Sequence, residues 1–251
     1  MILESVGRMR KGFLTIILLF SFGSASGFAQ FPDVQMPDSA TVSYNICDSL
    51  PLDAALVRSV NIINNPGLTR ATEIVSDMLY PVTLGAPVVF LAYGNILNDR
   101  KLTETSALIL ASEAATYGFV ALVKHFTDRQ RPYIAYPDCI ITRAEDPFKS
   151  FPSGHAAGSA CILTMVSLQY PKWYVVVPSI AFVAATNFSR MHLGLHYPSD
   201  VTVGTLIGST FAYVIWRYQD VLLKPLEPIL PTGEGGEVVR TIQLVNVGIP
   251  F

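Results

Sequence analysis

The chain reads as long apolar runs separated by short polar breaks. Five runs cover residues about 76–97, 103–126, 155–170, 172–190 and 199–218. Each is too long for a strand and predicts a helix, buried in protein or in lipid. The last three have apolar cores of about 16 residues, near the lower limit for crossing a bilayer. They fit membrane spans and the core helices of a soluble bundle alike. Ahead of them, "LDAALVRSVNIIN" carries apolar residues at helical spacing on one face and predicts a helix lying along a surface. At the N-terminus, Arg8, Arg10 and Lys11 precede the ten apolar residues "FLTIILLFSF", and small residues follow up to "GFAQ". This predicts an export signal cleaved after Ala29, with an uncleaved anchor as the alternative. Beyond the last run, "EVVRTIQLVNVGIPF" predicts a strand. The expected organisation is a signal over 1–29, an extracytoplasmic segment with its amphipathic helix over 30–72, a helical domain over 73–220 and a tail over 221–251.

Composition strengthens the membrane reading. Of 251 residues, 51% are apolar and 14% charged, against about 25% charged in an ordinary soluble domain. The net charge of −2, with no long basic run, argues against a nucleic-acid partner. Charge placement is an independent test. If residue 30 lies outside, the loop "NDRKLT" is cytoplasmic and its Arg100 and Lys101 obey the positive-inside rule, as do Lys172 and, after the last run, Arg217 and Lys224. The loops over about 127–154 and 189–199 then both fall outside, where they can meet. Cys47, Cys139 and Cys161 lie far apart with no CxxC pair, which fits no cysteine metal cluster. In an oxidising compartment Cys47 and Cys139 can pair, while Cys161 sits in an apolar helix; three free thiols is the other reading.

Those two loops hold almost all the unusual polar residues. The first opens with "KHFTDRQRP", where Lys124 and Arg131 are seven apart and would share a face if the helix continued. It closes with "FPSGHAAGSA", where Ser153 reads as a helix N-cap. Free backbone N–H groups and a positive helix end suit a phosphate, with Gly154 at the entry and His155 in the first turn. The second loop, "SRMHLGLHYPSD", brings Arg190, His196 and Asp200. Pro198 and Ser199 start the last helix, so Asp200 sits at its positive end as a carboxylate. Such a carboxylate can accept one imidazole N–H and leave the other nitrogen as a nucleophile, and His196 is the natural candidate. Singly, each of these residues has a bland reading as a solvated charge, a cap or a surface histidine. Their gathering on one side of five apolar runs does not.

The series K-x6-R-P, P-S-G-H and S-R-x5-H-x3-D resembles the three-part signature of the type 2 phosphatidic acid phosphatase superfamily, which also contains bacterial acid phosphatases and vanadium haloperoxidases. Here it stands at 124–132, 152–155 and 189–200, matched at every defining position. The resemblance implies an all-α helical bundle with about five transmembrane helices after the signal, the 73–220 region being the catalytic domain. It also implies a phosphatase in which His196 attacks phosphorus, Asp200 orients and stabilises its imidazole, and His155 protonates the leaving oxygen. Lys124, Arg131, Ser153, Gly154 and Arg190 would hold the phosphate oxygens. No metal or other cofactor is implied, because the cations and the helix end neutralise the phosphate.

The expected substrate is a lipid phosphate at the outer face of a bacterial inner membrane: phosphatidylglycerol phosphate, phosphatidate, isoprenyl pyrophosphate or lipid A phosphate. A soluble periplasmic acid phosphatase is the runner-up, then a haloperoxidase, and from another class a catalytically silent phosphate-binding protein. Against the last stands the intact His196, Asp200 and His155 set, since binding needs no nucleophile. His192, His196 and Asp200 recur every four residues and would line a metal-binding face on a continuous helix, which Gly194 and Pro198 oppose. Glu113, inside the second run, reads as a buried hydrogen bond to a neighbouring helix ahead of a substrate contact. Arg143 and Lys149 read as solvated loop charges ahead of contacts to a second anionic group.

Overall fold

The structure, a computed structural model, describes residues 47–231 except 48 and 148. The expected signal and the expected C-terminal strand lie outside the described residues. The elements are α1 (Leu52–Asn61), α2 (Pro66–Asp77), α3 (Leu79–Ile96), α4 (Arg100–Phe126), α5 (Pro132–Ala135), α6 (Gly154–Gln169), α7 (Trp173–His192), α8 (Pro198–Arg217), α9 (Gln219–Leu223) and a 3₁₀ turn (Lys224–Ile229). Among the described residues there is no strand, so the class is all-α. The five apolar runs are α3, α4, α6, α7 and α8. Helix α2 was not expected: its sequence is polar, and its signal is local, with Pro66 in the first turn and the Asn65 side chain accepting the Leu68 N–H at 3.1 Å. It runs across residue 73, the expected start of the helical domain.

Helix α6 occupies the centre, packed by α3, α4, α7 and α8. Around it lies the main core, with Leu108 and Ile109 from α4, Cys161, Ile162 and Met165 from α6, Phe90 from α3 and Ala212 from α8. The closest approach is between α6 and α8. A Cβ on Gly208 would lie 2.0 Å from the Ala157 carbonyl oxygen, and one on Gly204 2.5 Å from that of Ser153. Since that backbone cannot yield without moving α6 or α8, Gly208→Ala is expected to cost about 3 kcal/mol and to lower the melting temperature by roughly 6–12 °C in a thermal unfolding measurement. An unchanged melting temperature would contradict this packing.

Among the described residues two stretches are long and apolar enough to cross a membrane, Pro66–Ile96 and Arg100–Phe126. Their outward faces are apolar: Leu84, Val88, Leu110 and Leu122 are each more than half exposed. Helix α6, at 16 residues, is largely buried by its neighbours instead.

A smaller layer covers the end where α4, α6, α7 and α8 present the motifs. Asn61 closes α1 and fastens three segments: its amide donates to the carbonyls of Ile141 (3.0 Å) and His192 (2.8 Å) and accepts the Ile141 N–H (2.7 Å). Cys47 is disulfide-bonded to Cys139, while Cys161 is free and buried in α6. The bond joins the segment before α1 to the loop between α5 and α6, and Ala54, Val57, Ile140 and Tyr197 pack around it. Arg143 donates to the carbonyls of Asn61 (2.8 Å) and Ile63 (3.2 Å), and so fastens the same layer rather than a ligand.

Candidate active site

Lys124 and Arg131 would share a face only on a continuous helix. The helix ends at Phe126, where Thr127 turns to extended backbone, its hydroxyl bonded to the carbonyls of Val123 and Phe151 at 2.9 Å each. The two cations still converge, through the loop that follows. Lys124 Nζ, in the last turn of α4, donates to the Lys149 carbonyl. Arg131, almost fully buried, donates to the Leu195 carbonyl at 2.9 Å, and its Nη1 stands 3.0 Å from His196 Nε2. Arg190, buried at the end of α7, donates from Nη1 to the Ser76 hydroxyl of α2 at 2.6 Å, while its buried Nε has no partner.

The N-termini of α6 and α8 meet at this point. Ser153 caps α6, its Oγ accepting the Ala156 N–H at 3.4 Å, and the Ser153 N–H donates to the Asp200 carbonyl at 3.1 Å. A Cβ on Gly154 would meet nothing within 4 Å, so that end of α6 is open to an approaching group. His155 follows, edge-on to Tyr80 with ring centroids 5.6 Å apart, in the combined field of Lys124, Arg131, Arg190 and His196.

Asp200 is fully buried. Its Oδ2 accepts the Ser150 hydroxyl at 2.5 Å and the Tyr197 N–H at 2.9 Å, and lies 3.5 Å from His196 Nδ1. Its Oδ1 accepts from Arg129 at 2.6 Å. Two neutral donors and the Arg129 cation thus converge on this carboxylate, which turns its Oδ2 toward the imidazole. It therefore favours a proton on Nδ1 of His196, which leaves Nε2 as the lone-pair nitrogen facing the cations. Burial, then the charges of Arg190, Arg131 and Lys124, pull the His196 pKa well below 6.5. The shift disfavours the protonated ring, so neutral imidazole persists as the pH falls through 6.5 and is lost only lower. If His196 is the nucleophile, the acid limb of kcat/KM lies below pH 6.5 once the substrate's own ionisation near pH 6 is divided out. A limb at or above pH 6.5 would contradict the neutral, buried imidazole.

Sequence reasoning missed four polar residues of this site. Arg129 joins Asp200, Asp53 (2.5 Å) and Ser199 (2.6 Å) and lies over the Tyr197 ring. Ser150 holds Asp200, and Asp53 accepts the Ser199 N–H at the start of α8 (3.1 Å). Asp146 pairs with Arg131 (2.7 Å) and Arg190 (3.3 Å). In sequence they look like ordinary loop or helix-surface polar residues.

His192, by contrast, stands apart from the nucleophile pair. Its Nδ1 meets the Val60 carbonyl at 2.9 Å and its Nε2 the Thr69 hydroxyl at 3.2 Å, so both nitrogens tie α7 to the N-terminal layer. Gly194, with φ +77°, turns the chain between His192 and His196 and ends the helix on which they would have lined up with Asp200. Among the described residues no three His, Cys, Asp or Glu side chains gather as a metal-ligand set. Glu113 is buried in α4, about 16 Å from Lys124 by helical rise, and its Oε1 makes no hydrogen bond. The bond expected there to a neighbouring helix is absent at that oxygen. Lys149 pairs with Asp128 at 3.2 Å.

Comparison with known proteins bears on the fold and on the region that carries the three motifs. The profile of the PAP2 superfamily matches residues 105–223. A decaprenylphosphoryl-5-phosphoribose phosphatase of Mycobacterium tuberculosis is 34% identical over 108 residues, 42% of this chain and 56% of that protein. The chain thus spans about half the length of the curated relatives it matches. The crystal structure of Aquifex aeolicus LpxE superposes with a TM-score of 0.56 at 23% identity, covering 68% of this chain and 98% of that one. A transmembrane PAP2-type phosphatidylglycerolphosphate phosphatase from Bacillus subtilis superposes with a TM-score of 0.55 at 18% identity, covering 84% and 96%. At these identities the two structures speak to the fold alone. The three motifs gather at one end of a bundle of this fold, and the part of the chain from near the start of α4 to the end of α9 is what matches the PAP2 superfamily.

Proposed function

We propose that the protein is a lipid phosphatase that cleaves a phosphoester through a phosphohistidine at His196. The observation that carries this reading is the buried His196–Asp200 pair, whose Nε2 stands 3.0 Å from Arg131 Nη1 in the field of Arg190, Arg131 and Lys124, an imidazole that pure phosphate binding by these cations would not need. Lys124, Arg131 and Arg190, with Ser153 and the Gly154 amide at the end of α6, hold the phosphate oxygens where charge accumulates. His196 Nε2 attacks phosphorus as the bond to the lipid oxygen breaks, and His155 gives that oxygen its proton. The charge of the bound phosphate offsets the cations around His155 and lets its imidazole carry that proton. His155 then takes a proton from the water that opens the phosphohistidine, releasing inorganic phosphate and restoring His196.

The site is read as facing the extracytoplasmic side of the membrane. The disulfide to Cys139 lies on the loop that carries Arg131 and Asp146, and disulfides persist in oxidising compartments. Arg100, Lys101 and Lys172 lie at helix ends away from that loop, Lys101 over the ring of Tyr170, where the positive-inside rule puts the cytoplasm. The exposed apolar faces of α3 and α4 let a lipid phosphate arrive from the bilayer. The test is phosphate release by the detergent-solubilised protein, with chelator present, from phosphatidylglycerol phosphate, phosphatidate, isoprenyl pyrophosphate, lipid A and a small soluble phosphomonoester. Much faster hydrolysis of one lipid supports the proposal and names its substrate. Turnover of the soluble ester alone would replace it with a non-specific acid phosphatase.

A further inference from the structure

The site holds an anion of its own. One oxygen of Asp146, Oδ2, lies 2.7 Å from Arg131 Nη2 and 3.3 Å from Arg190 Nη2. These two guanidinium groups are nearly inaccessible to solvent, and Arg190 lies in the repulsive field of Arg131. Lys124, the third cation, is also attracted by Asp146. One carboxylate thus serves the same three cations that the phosphate is assigned above.

We infer that Asp146 is an internal stand-in for the substrate phosphate, holding Arg131 and Arg190 together until a phosphate enters and then leaving them. The inference rests on the phosphatase reading of the site. Geometry favours exchange over a permanent three-way pairing. Arg131 and Arg190 are fixed from behind, by the Leu195 carbonyl and the Ser76 hydroxyl, so they keep their places when the carboxylate goes. Asp146 is the most exposed member of the trio, at 21% against 2% and 4% for the arginine side chains. Its carbonyl accepts the Tyr133 hydroxyl at 3.4 Å, and Ser150 is tied to the Arg129 carbonyl at 2.9 Å. The loop backbone can therefore stay anchored while the side chain swings outward. The unspent Nε of Arg190 leaves a donor for the incoming oxygen. A bound phosphate carries more charge and more acceptor oxygens than one carboxylate, and so wins the exchange.

The consequence is a site whose affinity is set by a competitor in its own chain. If Asp146 occupies the seat nine-tenths of the time, apparent phosphate affinity is lowered about tenfold. The experiment is thermal unfolding of the full, detergent-solubilised chain against inorganic phosphate, for the unaltered protein and for Asp146→Asn, Asp146→Glu and Arg131→Ala. Exchange predicts that Asp146→Asn melts lower than the unaltered protein without phosphate, gains more from phosphate, and binds it about tenfold tighter. Asp146→Glu, which keeps the competing charge, gains no more than the unaltered protein. Should Asp146→Asn fold only when phosphate is present, the stand-in role is likewise supported. An Asp146→Asn protein whose phosphate response is equal to or weaker than the unaltered protein's, or one that phosphate fails to rescue, overturns the inference and leaves the phosphatase reading intact. A phosphate response that survives in Arg131→Ala, or no response in any of the proteins, overturns the reading of the site and the inference with it.

Discussion

Replacing His196 with alanine is expected to lower phosphate release by roughly 10⁴-fold or more, with the melting temperature of the protein little changed. The size follows from the proposed role: losing a nucleophile would remove the covalent route and leave only transition-state binding by the cations. The imidazole is buried, so the void left by alanine carries a packing cost, but His196 does not tie the layers together. That task falls to His192, two nitrogens of which join α7 to α1 and α2. The matched control is therefore His192→Ala, which should destabilise the protein yet leave the residual folded fraction with normal kcat. Steady-state kinetics on both variants, normalised to folded protein, checks the pair. Equal losses of kcat would show that His196 acts structurally.

Asp200→Asn is expected to cost roughly 10³-fold in kcat, with a smaller change in KM. The carboxylate accepts from Ser150, Tyr197 and Arg129 and faces His196 Nδ1. An amide of the same shape has one acceptor oxygen and a donor NH₂. If the NH₂ faces Nδ1, the imidazole proton moves to Nε2 and the nucleophilic lone pair is turned away from phosphorus. If it faces Arg129, a donor opposes a cation. Either way the charge that stabilises the phosphohistidine cation is gone. The measurement is kcat and KM on the preferred substrate, with thermal unfolding to show that the variant is folded. A loss confined to KM would mean that Asp200 serves substrate binding instead.

The contrast between these residues and their neighbours explains what was legible in the sequence. His196, Asp200 and the phosphate cations stand at fixed spacings around helix ends, and such spacings are readable because the cap and the helix start fix them locally: Ser153 caps α6 and Pro198 opens α8 where the sequence placed them. The five long helices were readable for the same reason, their apolar runs being continuous. Arg129, Ser150 and Asp146 were not, because their significance arises only when the loop before α6 folds back across the start of α8. Their spacing in sequence carries no period. Helix α2 escaped because its one-sided apolar pattern, Leu68, Ala71, Ile74 and Val75, is short and set among polar residues; it packs on α7. The second run ends where the sequence placed its end, at Phe126, so Lys124 and Arg131 do not share a helical face; the loop that follows, tied by the Thr127 hydroxyl to the Phe151 carbonyl, brings the two cations together instead.

The most direct test of the central claim is to trap the covalent intermediate. Purified protein is mixed with substrate labelled in the scissile phosphate, quenched within milliseconds and digested. The account predicts label that is stable in base, labile in acid and carried by the peptide containing His196, with none in His196→Ala. Label on any other residue, or label that survives the His196→Ala substitution, would contradict it.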